Sequence, residues 1–119
     1  MTITWEKDSE LEKVVHVHPE GRLDAHGADP FFSQVAEVLT PEHPNLLLDM
    51  GNVEHVSSAG VGVMIRLLTR VKQAGGTLAV YGCSPRVESV FKVVYVDAVI
   101  NLCPSEGEAR VWLRDMTRT

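Results

Sequence analysis

Strands alternating with helices along the chain predict an α/β domain, a small mixed, mostly parallel sheet of about five strands with about four helices packed on it. Three observations point there. Short apolar or alternating runs recur between Gly, Pro and Asn punctuation, and segments with three-and-four apolar spacing fall between them. One run, Leu46 to Leu48, is apolar without interruption, which is the pattern of a strand covered on both faces. A chain of 119 residues suits one hydrophobic core, so residues 1–119 are read as a single domain.

The elements follow in order. Thr2 to Glu6 and Lys13 to His18 alternate or run apolar about the turn-like Lys7, Asp8 and Ser9, which predicts two opening strands paired as a hairpin. The second ends at Pro19, Glu20 and Gly21, and Arg22 to His26 leads onward. Phe31, Phe32, Val35, Ala36 and Leu39 share one face of a helix over Asp29–Leu39, with Asp29 as N-cap and Pro30 in the first helical position. Thr40 and Pro41 stop that helix before the Leu46–Leu48 strand.

A second helical pattern of Val63, Ile65, Leu67, Leu68 and Val71 closes at Gly75 and Gly76, which read as a C-cap, not a phosphate loop, because they follow a helix. Thr77 to Tyr81 is a strand. Ser84 and Pro85 open a helix running to about Val93, with Val90, Phe91 and Val94 inward. Val99 to Leu102 forms the last strand, and Ser105 with Glu108 makes a capping box for a terminal helix whose Ala109, Trp112, Leu113 and Met116 face the core.

Composition removes several function classes. The formal net charge is -5 and Lys and Arg are scattered, so a nucleic-acid partner is not expected. No apolar stretch approaches the roughly 20 residues that cross a bilayer, and Met1 leads into polar residues, so the reading is cytoplasmic, without membrane insertion. Cys83 and Cys103 lack a CxxC partner and read as free, mostly buried thiols. His16 and His18 alternate on one strand and could put two ligands on a metal, but no third ligand is identifiable in the sequence, so neither a metal nor a cofactor is expected. No nucleophile, base and acid fall into a recognisable triad; the chain is not read as an enzyme, and no residue is assigned as catalytic.

Sites in open α/β sheets gather where strands end and helices begin, which singles out the stretch from Met50 to Gly62 as a loop. Ser57 or Ser58 falls at the N-cap of the long helix, and Gly60 and Gly62 reduce bulk so that another protein can approach the hydroxyl. A phosphate there would bring about -1.5 to -2 of charge to the positive end of a helix, which tolerates it, while a docked partner would lose affinity. The plainer alternative is a serine that caps and glycines that turn; local pattern does not separate the two.

The run LLLDMGNVEHVSSAGVGVMIRLLTRVKQAGGTLAVYGCSPRVESVFKVVYVDAVINL, Leu46 to Leu102, resembles the STAS domain of anti-sigma factor antagonists. Upstream, Gly21, Arg22, Leu23 and Asp24 are similar to that family's Gly-x-Leu-Asp element. The family signature Asp-Ser-Ser/Thr-Gly-Leu-Gly falls on Ser57, Ser58, Ala59, Gly60, Val61 and Gly62, with Ser58 at the phosphoacceptor position, Ser57 in place of the aspartate and Ala59 in place of the second hydroxyl residue. Ser57 is the competing acceptor. The resemblance implies a partner-binding surface of Asp24 and Ser57 to Gly62, with Asp24 and Asp49 supporting the loop. Tyr95 departs from a common family Gly, which implies an altered turn after the third helix.

It also implies partner switching. The unmodified protein binds an anti-sigma factor serine kinase and frees a sigma factor, phosphorylation of Ser58 releases it, and a metal-dependent, PP2C-type serine phosphatase resets it. The alternative is a cytoplasmic STAS regulatory subunit of a lipid or anion transporter, or of a stress-signalling scaffold complex.

Overall fold

A computed structural model describes residues 1–117. In chain order the elements are β1 (Thr2–Lys7), β2 (Val14–Leu23), α1 (Ala28–Val38), β3 (Asn45–Asp49), β4 (Asn52–Val56), α2 (Ser58–Gln73), β5 (Leu78–Tyr81), α3 (Pro85–Val93), a 3-10 turn at Val96–Ala98, β6 (Asn101–Cys103) and α4 (Glu106–Thr117). The six-stranded sheet runs β1-β2-β3-β5-β6, antiparallel at β1 and parallel elsewhere, with β4 beside β2.

The sheet has one strand more than expected. β2 is ten residues long; Val14–Val17 pair with β3, and Glu20–Leu23 pair with β4 after the chain turns at Met50 and Gly51. Pro19 lies where neither parallel partner stands beside it, so its missing N–H spoils no rung there, and Gly21, at φ 111°, absorbs a register shift. That is how β2 passes the Pro19–Gly21 signal at which the sequence predicts its end. β4 was hidden because Val53 and Val56 are its only buried residues, too little apolar pattern to stand out between two turns.

Residue alternation divides the sheet between two cores. Val15, Val17, Leu46, Leu48, Leu78 and Val80 face the larger core, capped by α1, α2 and α3 through Phe31, Val35, Met64, Leu67 and Phe91. Val14, Leu47, Ala79 and Tyr81 face the smaller one, closed by Ala109 and Leu113 of α4. The Leu46–Leu48 run is therefore buried on both sides, as expected.

Helix ends follow side-chain chemistry. Ser84 caps α3 by accepting from the Val87 amide at 3.2 Å, and Ser105 accepts from the Glu108 amide at 3.2 Å. At the end of α2, Gly75 takes φ 85° and the Gly76 amide reaches the Val71 carbonyl at 2.9 Å, a Schellman closure. Asp29 does not cap α1. The helix starts two residues earlier, at Ala28, because Asp24 has already organised the turn, and the Asp29 carboxylate instead pairs with Arg66 at 3.1 Å.

Two inward assignments fail: Val94 and Met116 are exposed. Ile65 of the α2 pattern is exposed as well, while Phe32 packs partly buried against the larger core, its ring under the Arg66 guanidinium at 4.2 Å. A three-and-four pattern wider than the contact stripe over-assigns the flanks, and Val94 falls beyond the helix. Cys83 and Cys103 are free and half-buried. Tyr95 keeps a left-handed backbone, φ 61°, so the turn that favours glycine is made here by an exposed tyrosine.

Candidate functional site at the start of α2

Two neighbouring parallel strands end together. Leu23 of β2 pairs with Val56 of β4, and the Ser57 amide donates to the Leu23 carbonyl at 3.0 Å. The chain thus leaves one strand as Asp24 and the next as Ser57, side by side at the carboxyl edge of the sheet. The stretch read as a loop from Met50 to Gly62 is in fact a turn, a strand and the first turn of α2.

The two serines separate by backbone geometry. Ser57 is extended (φ -95°, ψ -179°), half-buried, and caps α2: its Oγ accepts from the Gly60 amide over a long 3.5 Å. Ser58 is the first helical residue. It is exposed, and its hydroxyl has no hydrogen-bond partner among the described residues. A helix leaves its first amides unpaired; with the Val61 amide bonded to the Ser57 carbonyl at 2.9 Å and that of Gly60 facing the cap, the Ser58 and Ala59 amides stay open beside that hydroxyl.

Only part of the matching hexapeptide is surface. Val61 is buried, Ala59 is half-buried against the larger core, and Gly60 is buried so tightly that a Cβ would lie 2.2 Å from the Leu23 carbonyl oxygen. Gly60 therefore exists for packing, and this corrects the expectation that both glycines open the hydroxyl to a partner. Gly62 is exposed, with open space where a Cβ would be. Helical spacing lines up Ser58, Gly62, Ile65 and Thr69 as one exposed stripe, and the isoleucine is a surface feature that the helical pattern of the sequence does not single out.

The two aspartates part company. The Asp24 carboxylate accepts from the Gly27 and His26 amides at 3.1 Å each, with Arg22 Nε at 3.6 Å; the Gly27 bond above all holds its carboxyl below the usual range. It shapes the turn next to Ser57 without bonding to either serine. Asp49 is remote, at the far end of β4, and supports the β3–β4 turn by accepting from the Gly51 amide at 2.9 Å. It thus holds the start of the stretch read as a loop and makes no bond at the end that carries Ser58.

A second polar cluster lies on the α4 face. His18 puts Nδ1 at 3.0 Å from Asp49 Oδ2 and Nε2 at 2.8 Å from Glu6 Oε1, while His16 Nε2 and the Tyr81 hydroxyl stand 2.7 Å apart. Asp8 binds Arg110 through two 2.9 Å contacts, fork to fork, and Arg110 Nε also meets Glu106 at 2.9 Å. Partial burial works against charge on His18, but the bonds to Glu6 and Asp49 outweigh it and raise its pKa; burial and the charge of His18 lower that of His16. The sequence supplies His16 and His18 as a pair; Glu6 joins them because the antiparallel register sets it opposite His16, and that register is not readable from the residues alone.

Comparison with known proteins agrees with the architecture. A family model for the STAS domain matches residues 8–109. A Thermotoga neapolitana protein, provisionally named an anti-sigma factor antagonist, is 29% identical over 100 residues, covering 83% of this chain and 88% of that one. The anti-sigma-B factor antagonist of Bacillus subtilis is 26% identical over 97 residues, covering 81% of this chain and 88% of that one. Among solved structures, the Bacillus anti-sigma factor antagonist SpoIIAA in its unphosphorylated form superposes with a TM-score of 0.73 at 16% identity, over 97% of this chain and 100% of that one; its phosphorylated form has also been solved and gives 0.64. With the family model spanning most of the chain and the expected order of strands and helices in place, this protein belongs to the STAS domain family.

Proposed function

We propose that the chain is a regulatory binding protein, an anti-sigma factor antagonist, whose unmodified form binds an anti-sigma factor serine kinase through the exposed stripe of α2 and is released by phosphorylation of Ser58. The observation that carries this is the division of labour between the serines. Ser57 is occupied as the cap, and Ser58 stands exposed and unbonded one residue further on. Named relatives supply the class of partner, since two of them are called anti-sigma factor antagonists. That SpoIIAA has been solved with and without phosphate shows that a protein of this fold accommodates the group.

The physics of release is local. A phosphate on Ser58 Oγ meets the open amides of Ser58 and Ala59 and the positive end of α2, so the fold is not strained by it. A partner packed over Ser58, Gly62 and Ile65 meets a new double charge that it has no group to match. An unmatched desolvated charge of this kind costs about 2–3 kcal/mol, which is about 30-fold to 150-fold in affinity. A PP2C-type phosphatase would remove the group and restore binding. No residue of this chain has to act as a catalyst in the cycle.

Mass spectrometry of the protein isolated from its own cells tests the reading. One phosphate on the peptide carrying Ser57 and Ser58 is expected, localised to Ser58, absent in Ser58→Ala and retained in Ser57→Ala. Wild type and Ser58→Ala should capture an ATP-binding anti-sigma factor in pull-downs, and Ser58→Asp should not. Phosphate on Ser57, or capture that ignores the Ser58→Asp charge, overturns it.

A further inference from the structure

The open part of the α4 face holds a second candidate site. Glu6 and His16 are directly paired across the β1–β2 ladder and His18 is two residues on, so all three side chains leave the same face. Glu6 Oε1 lies 2.8 Å from His18 Nε2 and 3.4 Å from His16 Nδ1, and the three ligand atoms all fall within 4.8 Å of one another. We propose that Glu6 Oε1, His16 Nδ1 and His18 Nε2 bind one zinc-class divalent cation, bridging β1 to β2 where α4 leaves the sheet uncovered.

The two spacings from Glu6 suit the ion. Tetrahedral zinc with bonds of about 2.0–2.2 Å sets its donors about 3.3 Å apart. The Glu6–His16 distance already matches, and the Glu6–His18 distance must open by about 0.5 Å, which an exposed carboxylate on an edge strand can allow. Imidazole and carboxylate are the donor types that zinc takes, whereas magnesium and calcium prefer all-oxygen shells.

The surroundings add an independent argument. A metal-binding histidine usually has its other ring nitrogen held by a carboxylate, carbonyl or hydroxyl, which fixes the tautomer and aims the lone pair. Both are held here: His18 Nδ1 by Asp49 at 3.0 Å, and His16 Nε2 by the Tyr81 hydroxyl at 2.7 Å. Those contacts leave His18 Nε2 and His16 Nδ1, the two atoms nearest Glu6, as the donors. Arg110 Nη2 comes within 3.5 Å of His16 Nδ1, but its guanidinium is engaged by Asp8 and Glu106 at 2.9 Å. Asp8 and Glu106 pair with Arg110 while Glu6 and Asp49 pair with His18, so four carboxylates against one fixed cation leave the cluster with excess negative charge toward an arriving ion. Glu6 and His18 remain open to solvent on one side, leaving room for a water as fourth ligand.

Isothermal titration of the metal-free protein with Zn2+ tests this, with Mg2+ as control and thermal melting as a second readout. One Zn2+ per chain is expected, with a rise in melting temperature that Mg2+ does not produce. Binding should be lost in both Glu6→Gln and His18→Gln and kept in His26→Gln and His55→Gln. Circular dichroism checks that each variant folds, and Glu6→Gln, on the exposed edge, keeps the test available should His18→Gln fail to fold. Absence of saturable Zn2+ uptake by the wild type, or uptake that survives Glu6→Gln, refutes the three-donor site.

Discussion

Replacing the two glycines at the start of α2 by alanine should move stability in opposite directions. A Cβ on Gly60 would stand 2.2 Å from the Leu23 carbonyl oxygen, 2.9 Å from Val56 Cγ1 and 3.1 Å from Leu23 Cγ. Ordinary carbon–oxygen contacts begin near 3.3 Å, so the helix or the strand end must retreat by about 1 Å. The Ser57 amide bond to that same carbonyl, 3.0 Å long, would not survive the shift, a loss of about 1 kcal/mol. Forcing a methyl into a filled site adds about 1–3 kcal/mol, and the better helix propensity of alanine returns up to about 1 kcal/mol. Gly60→Ala should therefore cost about 1–4 kcal/mol. Gly62→Ala meets nothing within 4 Å and should gain about 0.5–1 kcal/mol from propensity alone. Urea unfolding followed by circular dichroism reads both: the midpoint should fall for one variant and rise for the other, with the slope unchanged. A Gly60→Ala protein as stable as the wild type would refute the close approach of α2 to β2, and a destabilised Gly62→Ala would refute the open surface assigned beside Ser58. Because Gly62 neighbours Ser58 on that surface, Gly62→Ala should also weaken the partner while strengthening the fold.

Three further outcomes are expected. Ile65→Glu should leave the unfolding midpoint within about 0.5 kcal/mol of wild type, since the side chain is exposed, yet reduce capture of the anti-sigma partner at least tenfold in a binding assay; unchanged capture would remove Ile65 from the interface. Asp8→Asn should cost about 2–4 kcal/mol in chemical denaturation, because Asp8 is almost fully buried in its fork-to-fork pair with Arg110 and joins the β1–β2 turn to α4; a neutral result would mean that this pair does not tie the two elements together. Burial pushes the Cys83 thiol up to about 12 and raises that of the less buried Cys103 as well, so at pH 8 iodoacetamide should modify Cys103 first; the reverse order by peptide mass spectrometry would contradict the packing around β5 and α3.

What the residues determined by themselves is the class of fold, the order of its elements apart from β4, and the hexapeptide on which the proposed phosphate site rests. These rest on signals confined to a few consecutive positions: the apolar run of Leu46–Leu48, the Ser84–Pro85 and Ser105–Glu108 caps, the Gly75–Gly76 closure and the Ser57–Gly62 hexapeptide. Such signals act through backbone propensity and hydrogen bonds between near neighbours, so they survive without knowledge of the fold. Whatever depended on two distant segments meeting was decided by tertiary structure alone. Packing against Leu23 assigned Gly60 to the interior, backbone conformation divided cap from free hydroxyl between Ser57 and Ser58, and the β1–β2 register brought Glu6 to His16 and His18. A one-residue slip in that register would turn Glu6 to the other face with no change in local pattern, which is why the third donor could not be read from the chain.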